Sequence, residues 1–417
     1  MQSQPQTERT TKVLGFTPNV FFLGVVSFLT DLSSDMIQNM LPLYLANVLG
    51  AKTSIIGLVE GVGDSSSSLL RIVSGWMSDR MGKRKGLTAL GYFLSAASRP
   101  FLLLASVWAA VLAIKFTDRV GKGIRAAPRD ALLADSAEKR QMGKSFGFHR
   151  AMDTLGAVVG VGLAAAIVYG LQGSTPKLEW NTFKVIVITG MVPGFLAVLV
   201  LVAFVRERSK GAVAMEKARG GKVHLGQLGG RYWAFLIVML TFSLGNISTA
   251  FLVLRAQNLG IALYQIFLLL LAFNLFYTVS SLPAGMVSDK IGRKAVIGAG
   301  WLVYGLTCVG LAVASSWWHV LGLFLAYGLY QGMTDGVTGA MVGDLIPQER
   351  RGEAYGFYHT MLGIAILPAS VVAGVLWQVF GPAAAFWYGA ALGFTACAGL
   401  LVLVHGKTGA VAIAGES

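Results

Sequence analysis

Charged side chains are scarce in this chain: they make up 13% of its 417 residues, where a soluble domain carries about a quarter. The deficit runs along the whole length, which excludes a single soluble core and places most residues against lipid or other apolar helices. Cysteine is nearly absent. Cys308 and Cys397 both lie in apolar runs, so no disulfide framework and no metal-ligand spacing can be built from them. The full phosphate-loop pattern Gly-x-x-x-x-Gly-Lys-Ser/Thr is missing, which leaves ATP-driven pumping unsupported and an enzyme the least favoured class. No cofactor and no metal is expected. Met1 to Thr17 is polar and has no apolar stretch beside a cleavage site, so no signal peptide is expected.

Apolar residues are abundant, at 55% with a mean hydropathy of +0.65. Runs of about 20 of them, the thickness of a bilayer core, recur along the chain. They predict twelve spans near 20–47, 54–77, 86–106, 109–133, 145–170, 183–205, 231–256, 264–287, 294–314, 318–343, 353–377 and 382–404. A net charge of +14 would suggest nucleic acid in a soluble protein. In a membrane protein it reflects Lys and Arg gathered on the cytoplasmic side, so no nucleic-acid partner is expected. With both termini cytoplasmic, 22 cations fall inside, and only Lys52, Lys177 and Lys184 fall outside. The expected organisation is a cytoplasmic tail (1–19), a six-helix bundle (20–205), a Lys-, Arg- and Gly-rich linker (206–230), a second bundle (231–404) and a second cytoplasmic tail (405–417). The expected setting is a bacterial inner membrane, with the protein a monomer.

An internal repeat supports the division into halves. Gly75-Trp-Met-Ser-Asp79-Arg80-Met-Gly82-Lys83-Arg84-Lys85 reappears as Gly285-Met-Val-Ser-Asp289-Lys290-Ile-Gly292-Arg293-Lys294, 210 residues later. Gly50 and Gly260 keep that offset, while Phe146-Gly147-Phe148 against Tyr355-Gly356-Phe357, and Asp135 against Asp344, differ by 209. The fold expected is an all-α membrane protein with 12 transmembrane helices in two pseudo-symmetric six-helix bundles.

The repeated loop, G-x-x-x-D-[RK]-x-G-[RK]-[RK], resembles the signature loop of the major facilitator superfamily. Arg119-x-x-Lys122-Gly123 is similar to that superfamily's span-four motif, which usually has Gln at the place of Lys122. The second half keeps that Gln, as Gln331-Gly332. The resemblance extends from about Asn19 to His405. It implies a transporter of a small solute, two bundles rocking about a central site, and a fourth span that lines the cavity. It also implies a gate, formed by Gly75, Asp79, Arg80, Gly82, Arg84 and Asp135 with Gly285, Asp289, Gly292 and Arg293, that latches the cytoplasmic side in one state. The alternative is a loop that only sets topology. Gly156, Gly160 and Gly162 resemble a Gly-rich motif of proton-driven exporters, but Val161 stands where that motif has Pro.

Ionisable groups within spans are costly and point to function. The cations there are Arg71, Arg99, Lys115, Arg119, Lys122, Arg125, Arg129, Arg150 and Arg255; the acids are Asp31, Asp35, Glu60, Asp64, Asp118, Asp130, Asp153 and Asp335. The repeat partners of Asp31, Asp35, Glu60, Asp64 and Arg71 are the uncharged Thr241, Gly245, Leu270, Asn274 and Ser281. Coupling is therefore expected in the first bundle. Asp31 and Asp35 share a helix face, and a carboxylate drawn away from water there can load and release a proton; a static ion pair with a nearby Arg or Lys, such as Arg71 or Arg150, is the alternative. Glu60 and Asp64 are coupling candidates or members of a self-neutralising seam. Lys115, Arg119, Lys122, Arg125 and Arg129 form a stripe on one face of span four. Arg119 and Lys122 are expected to hold an anionic substrate, with Tyr330 and Gln331 facing them, unless the stripe pairs with Asp31, Asp35, Glu60 or Asp153. His149, His359 and Tyr358 can also line a cavity, although a lone ring in a span is more often packing.

The leading expectation is a secondary transporter of a small, preferentially anionic solute in the lipid bilayer, with protons as a second partner. A proton-driven drug or metabolite efflux antiporter is the alternative, and a non-transporting receptor on the same fold is a further class. The charge asymmetry makes the topology testable. Single-cysteine labelling with an impermeant reagent from the periplasm should fail at Ser209 and succeed at Ser174; the reverse pattern overturns the orientation.

Overall fold

The computed structural model describes residues 13–81, 84–138, 141–207, 229–346 and 351–404. Most of the expected linker and tails, Gly82, and the side chain of Asp79 lie outside the described residues. Among the described residues, twelve helical rods follow one another: α1 (Pro18–Val48), α2 (Thr53–Met81), α3 (Arg84–Leu104), α4 (Trp108–Ser136), α5 (Met142–Gln172) and α6 (Trp180–Phe204), then α7 (Gly230–Asn258), α8 (Leu263–Ile291), α9 (Arg293–Val313), α10 (Trp317–Leu345), α11 (Arg351–Phe380) and α12 (Pro382–Leu403). The expected spans match these rods to within a few residues. Nine of the rods so described are long and apolar enough to cross a membrane. The other three, α2, α4 and α10, are each 29 residues long but do not reach that apolarity over a full span.

Packing repeats with the sequence. In the first half α1 packs on α5 and α6, α2 on α4, α3 on α4 and α6; in the second, α7 packs on α11 and α12, α8 on α10, α9 on α10 and α12. Every pair recurs six helices later, as two copies of one bundle require. Gly50 and Gly260 both take positive φ, 62° and 77°, so these landmarks mark the same left-handed turn after the first rod of each half. The bundles meet through α2 with α11 and α5 with α8, again equivalent pairs.

One end of the molecule, called here the basic end, gathers Arg84, Arg206, Arg231 and Arg293. At the opposite end the bundles are stitched together. Leu263 N donates to Thr175 O at 3.1 Å, Gln257 Nε2 to Pro176 O at 2.7 Å, and Ser54 Oγ to Gln378 Oε1 at 2.6 Å. Gly57 and Gly61 let α2 approach the α11 backbone at Ser370 and Leu367. Within the first bundle, Gly156 and Gly160 do the same for α5 against Phe28 and Leu32 of α1, whereas Gly162 faces open space. A Gly160→Leu variant should therefore lose about 1–3 kcal/mol, read as a lower thermal midpoint in detergent, while Gly162→Ala should match the parent.

Candidate functional site

The interface between the bundles holds a cavity of about 370 Å³, shaped by two interruptions. In α1 the helix stops at Gln38 and resumes at Leu41; Pro42 has no N–H to return to the Gln38 carbonyl. A wide π-helical turn, Tyr44–Val48, follows. In α7 the helix stops at Gly245 and restarts at Thr249, with Ser248 Oγ accepting from Ala250 N at 3.3 Å. The sequence reading has both rods continuous; α7 carries no proline that would reveal its break. The breaks place Gln38, Asn39 and Pro42 opposite Ser248, Thr249 and Ala250 on the cavity wall. The positive end of the Thr249–Asn258 half-helix thus faces the cavity.

The floor of the first bundle is a ladder of ion pairs between α2 and α4. Lys115 pairs with Glu60, both almost completely buried. One turn along each helix, Arg119 Nε lies 3.4 Å from Asp64 Oδ1. Nearer the basic end, Arg71 reaches Asp130 at 3.2 Å, and Arg129 shares that carboxylate at 2.9 Å. Arg99 is buried against Asp118 at 3.3 Å and Ser34 at 2.8 Å. Arg125 stacks on Tyr92, 4.4 Å from the ring centroid, and donates to Ser95 Oγ at 3.0 Å. The self-neutralising seam weighed for span two is therefore present, and its partners lie on span four.

Lys122 is the member of the stripe left over. It lines the cavity and is exposed there. Among the described residues it makes no ion pair or hydrogen bond, and it stands among Arg119, Arg125, Asp31 and Asp64. Asp31 and Asp35 also lack an ion pair among the described residues, which corrects the static pairing with Arg71 or Arg150. Arg71 is taken by Asp130, and Arg150 donates across the interface to Tyr277 Oη at 2.9 Å. Asp35 lines the cavity, while Asp31, one turn away, faces Asp153, Lys122 and Arg125.

A second lobe of about 420 Å³ shares Asp64, Ser248, Thr249 and Gln331 with the first. Its walls come mainly from the second bundle and include Tyr330, Tyr358, His359 and Asp335. Of the residues singled out in the sequence, Arg119, Lys122, Gln331, Asp35, Glu60 and Asp64 thus surround one lobe, and Tyr330 and Gln331 border the other. Asp31 lines neither. His149 also lines neither: its Nδ1 lies 3.6 Å from Asp153, whose carboxylate accepts from Ser27. Asn246, Ser248, Thr249 and Trp301 also line the second lobe, and nothing in their local sequence pattern distinguishes them from ordinary span residues.

The residues expected to form a gate fall into two matched clusters. Arg84 pairs with Asp135 and donates to Ala131 O at 2.9 Å, and its backbone N–H donates to Glu207 at 3.0 Å. Arg293 lies 2.7 Å from Asp344 and 2.9 Å from Asp289. Arg84 thus corresponds to Arg293, one residue out of the loop's own register but in step with Asp135 and Asp344. Both ion pairs lie within a bundle. Arg80 sits over the Trp76 ring at 5.4 Å. Gly292 has φ 95°, Gly285 has open space and Gly75 packs on Ala127.

The sequence matches the family described as the Major Facilitator Superfamily over residues 23–252 and 232–415. An uncharacterized MFS-type transporter of Methanocaldococcus jannaschii is 36% identical over 397 residues, covering 92% of this chain and 94% of that protein. Shorter matches reach a multi-drug resistance efflux pump PmrA homolog of Lactococcus lactis (34% over 140 residues; 33% of this chain, 34% of that one) and a phosphoglycerate transporter protein of Salmonella typhimurium (28% over 183 residues; 42% and 37%). Among solved structures, a mutant form of the nucleoside transporter NupG superimposes with a TM-score of 0.78 at 13% identity, covering 93% of this chain and all of that one.

The ladder makes a stability prediction. Glu60→Gln leaves the Lys115 ammonium buried and unpaired, which should cost about 3–5 kcal/mol. The double change Glu60→Leu with Lys115→Met should recover most of that loss in thermal unfolding of the detergent-solubilised protein. A single variant as stable as the parent would show the pair to be idle.

Proposed function

The chain belongs to the major facilitator superfamily and is a multi-pass membrane transporter of a small molecule, and from the cavity we propose that its solute is an organic anion moved together with protons. The observation that carries this reading is Lys122, a cation bordering the cavity with no ion-pair partner among the described residues. Beside it stand Arg119, only partly engaged by Asp64, and the positive end of the Thr249 half-helix. Discontinuous helices with their N-termini toward the solute are a recurrent way to hold an anion in transporters, and a guanidinium beside an ammonium suits a carboxylate or phosphate. The partial likeness to a phosphoglycerate transporter agrees with this reading. The partial likeness to an efflux pump supports the other direction of transport for the same solute class.

Asp31 and Asp35 are the proposed proton carriers, with Glu60 and Asp64 tied into the ladder behind them. Deprotonated, Asp35 offsets Lys122; protonated, it leaves the ammonium free to hold an anion. Proton and anion therefore bind cooperatively, and each strengthens the other by the same factor. Residues 20–205 and 231–404 rock as two bodies joined by 206–230, and the clusters at Arg84 and Arg293 latch the basic end in the opposite state. That end and both termini face the cytoplasm of a bacterial inner membrane, and the working unit is the monomer.

The test uses 3-phosphoglycerate as probe. Its affinity for the purified protein should rise as pH falls and drop about tenfold in Lys122→Gln, one lost charge-assisted contact. Asp35→Asn or Asp31→Asn should flatten the pH dependence. In proteoliposomes that variant should lose uptake driven by a pH gradient while keeping solute exchange, which needs no net proton movement. Unchanged affinity in Lys122→Gln, or a preference for organic cations, would make the cation stripe structural.

A further inference from the structure

The two lobes differ sharply in chemistry, and the difference constrains the solute. The first is walled by charge: Lys122 and Arg119 against Asp35, Glu60 and Asp64. The second is walled by rings: Phe242, Trp301, Tyr327, Tyr330, Tyr358 and His359. These rings fall into two groups, Phe242, Trp301, Tyr327 and Tyr330 in one and Tyr358 with His359 in the other. Phe242 stacks on Trp301 with centroids 4.7 Å apart and planes 13° from parallel. Tyr327 meets Tyr330 edge-on at 5.1 Å and 77°, and Tyr358 meets His359 at 5.1 Å and 68°.

The tyrosine hydroxyls are already committed elsewhere. Tyr327 Oη donates to Ile247 O at 2.7 Å, and Tyr330 Oη to Asn246 Oδ1 at 3.1 Å. Both thereby brace the interruption in α7, so these two tyrosines offer the lobe ring surface rather than hydrogen bonds. Two polar atoms on the same walls are buried without a partner: Trp301 Nε1, on a fully buried side chain, and Gln331 Oε1, at the seam between the lobes. A buried donor and a buried acceptor left open are costly unless something satisfies them. Simple core packing accounts for the ring contacts but leaves both atoms unsatisfied.

Size points the same way. At about 370 and 420 Å³, each lobe is within the range of sites for drug-sized ligands, and a bare oxyanion at Lys122 would leave the second lobe empty. Asp335 borders that lobe and repels a second negative group there. We propose that the solute is bipartite: a carboxylate or phosphate held in the first lobe, joined to an uncharged planar ring bearing hydrogen-bonding groups that lies among the aromatic walls of the second. Ring-on-ring contact and loss of water from the ring supply affinity, Trp301 and Gln331 read its heteroatoms, and Asp335 fixes which end enters.

This inference rests on the anion reading of Lys122, and the probes separate the two. Binding of inorganic phosphate, 1-naphthyl phosphate and 1-naphthol to the purified full chain is measured by calorimetry. Naphthyl phosphate should bind at least about tenfold more tightly than phosphate, the scale of a ring contact plus its desolvation. Gly339 borders the second lobe with open space where a side chain would stand, so Gly339→Phe fills the lobe without a backbone clash. That variant should bring naphthyl phosphate down to the affinity of phosphate and leave phosphate itself unchanged, which also shows that the protein is folded. Equal affinities for phosphate and naphthyl phosphate in the parent overturn the aromatic subsite while leaving the anion reading intact. Naphthol binding as tightly as naphthyl phosphate, or no binding of either phosphate, overturns both.

Discussion

A charge inside a membrane protein must be matched where it stands, and the α2–α4 ladder is where this chain meets that demand. Removing a carboxylate or an ammonium from water costs several kcal/mol even after relaxation, and only a close partner with good geometry offsets it. Lys115 with Glu60 and Arg119 with Asp64 do this one turn apart on two packed helices. Such pairing fixes the register of α2 against α4, because sliding either helix by one residue would turn its charges away from their partners. Arg99 on Asp118 ties α3 to the same helix, and Gly91 and Gly121 allow the close approach of α3 and α4 that this requires. The first bundle is therefore held by charge as well as by shape, and Lys122 stands out because the ladder passes it by.

The second bundle repeats the scaffold and discards the charge. Asp64 and Asn274, equivalent in the repeat, both line the first lobe, as do Lys122 and Gln331. The ionic members lie on one side and the neutral amides on the other. Rings take over in the second bundle: Phe242, Tyr304, Tyr327 and Tyr330 pack around the α7 interruption, and Tyr304 Oη donates to Gly245 O at 2.5 Å and accepts from Ile247 N at 3.0 Å. Unravelled backbone at membrane depth survives only where it is buried in protein or lines a cavity, and these tyrosines supply the hydrogen bonds the broken helix lacks. One bundle shape thus carries an ionic face in one copy and an aromatic face in the other.

Span lengths, the repeat and the cation stripe were legible in the sequence because each is written in local periodicity. Partner choice was not. Lys115 and Glu60 are 55 residues apart in the chain, and their meeting depends on how α2 and α4 are rotated against each other, which no single span records. The same gap explains Asp31: a helix face could be assigned, but the neighbours there are Asp153 of α5 with Lys122 and Arg125 of α4 rather than Arg71 or Arg150. Pro42 could have announced the break in α1, whereas the break in α7 rests on tyrosines from α9 and α10. His149 looked like a cavity residue by composition, yet its turn of α5 directs it to Asp153, inside the bundle.

Charge balance also bears on coupling. Away from their ends the spans hold eight acids and nine basic residues, and the ninth, Arg255, lies on the carbonyls of Leu311, Ala312 and Ala314 where α9 ends, a site that favours a cation by itself. The remaining eight match the acids in number. On the proposed transport reading, these groups balance with every acid ionised, and the balance is kept when a carboxylate enters with one proton or a phosphate dianion with two, one each on Asp31 and Asp35. Only the half-loaded forms, with proton alone or anion alone, carry an uncompensated charge. Rocking the bundles closes water out of the cavity, and an unmatched charge in that enclosed space meets the full desolvation penalty. If only the neutral forms cross, the proposed coupling needs no separate gate that senses the proton.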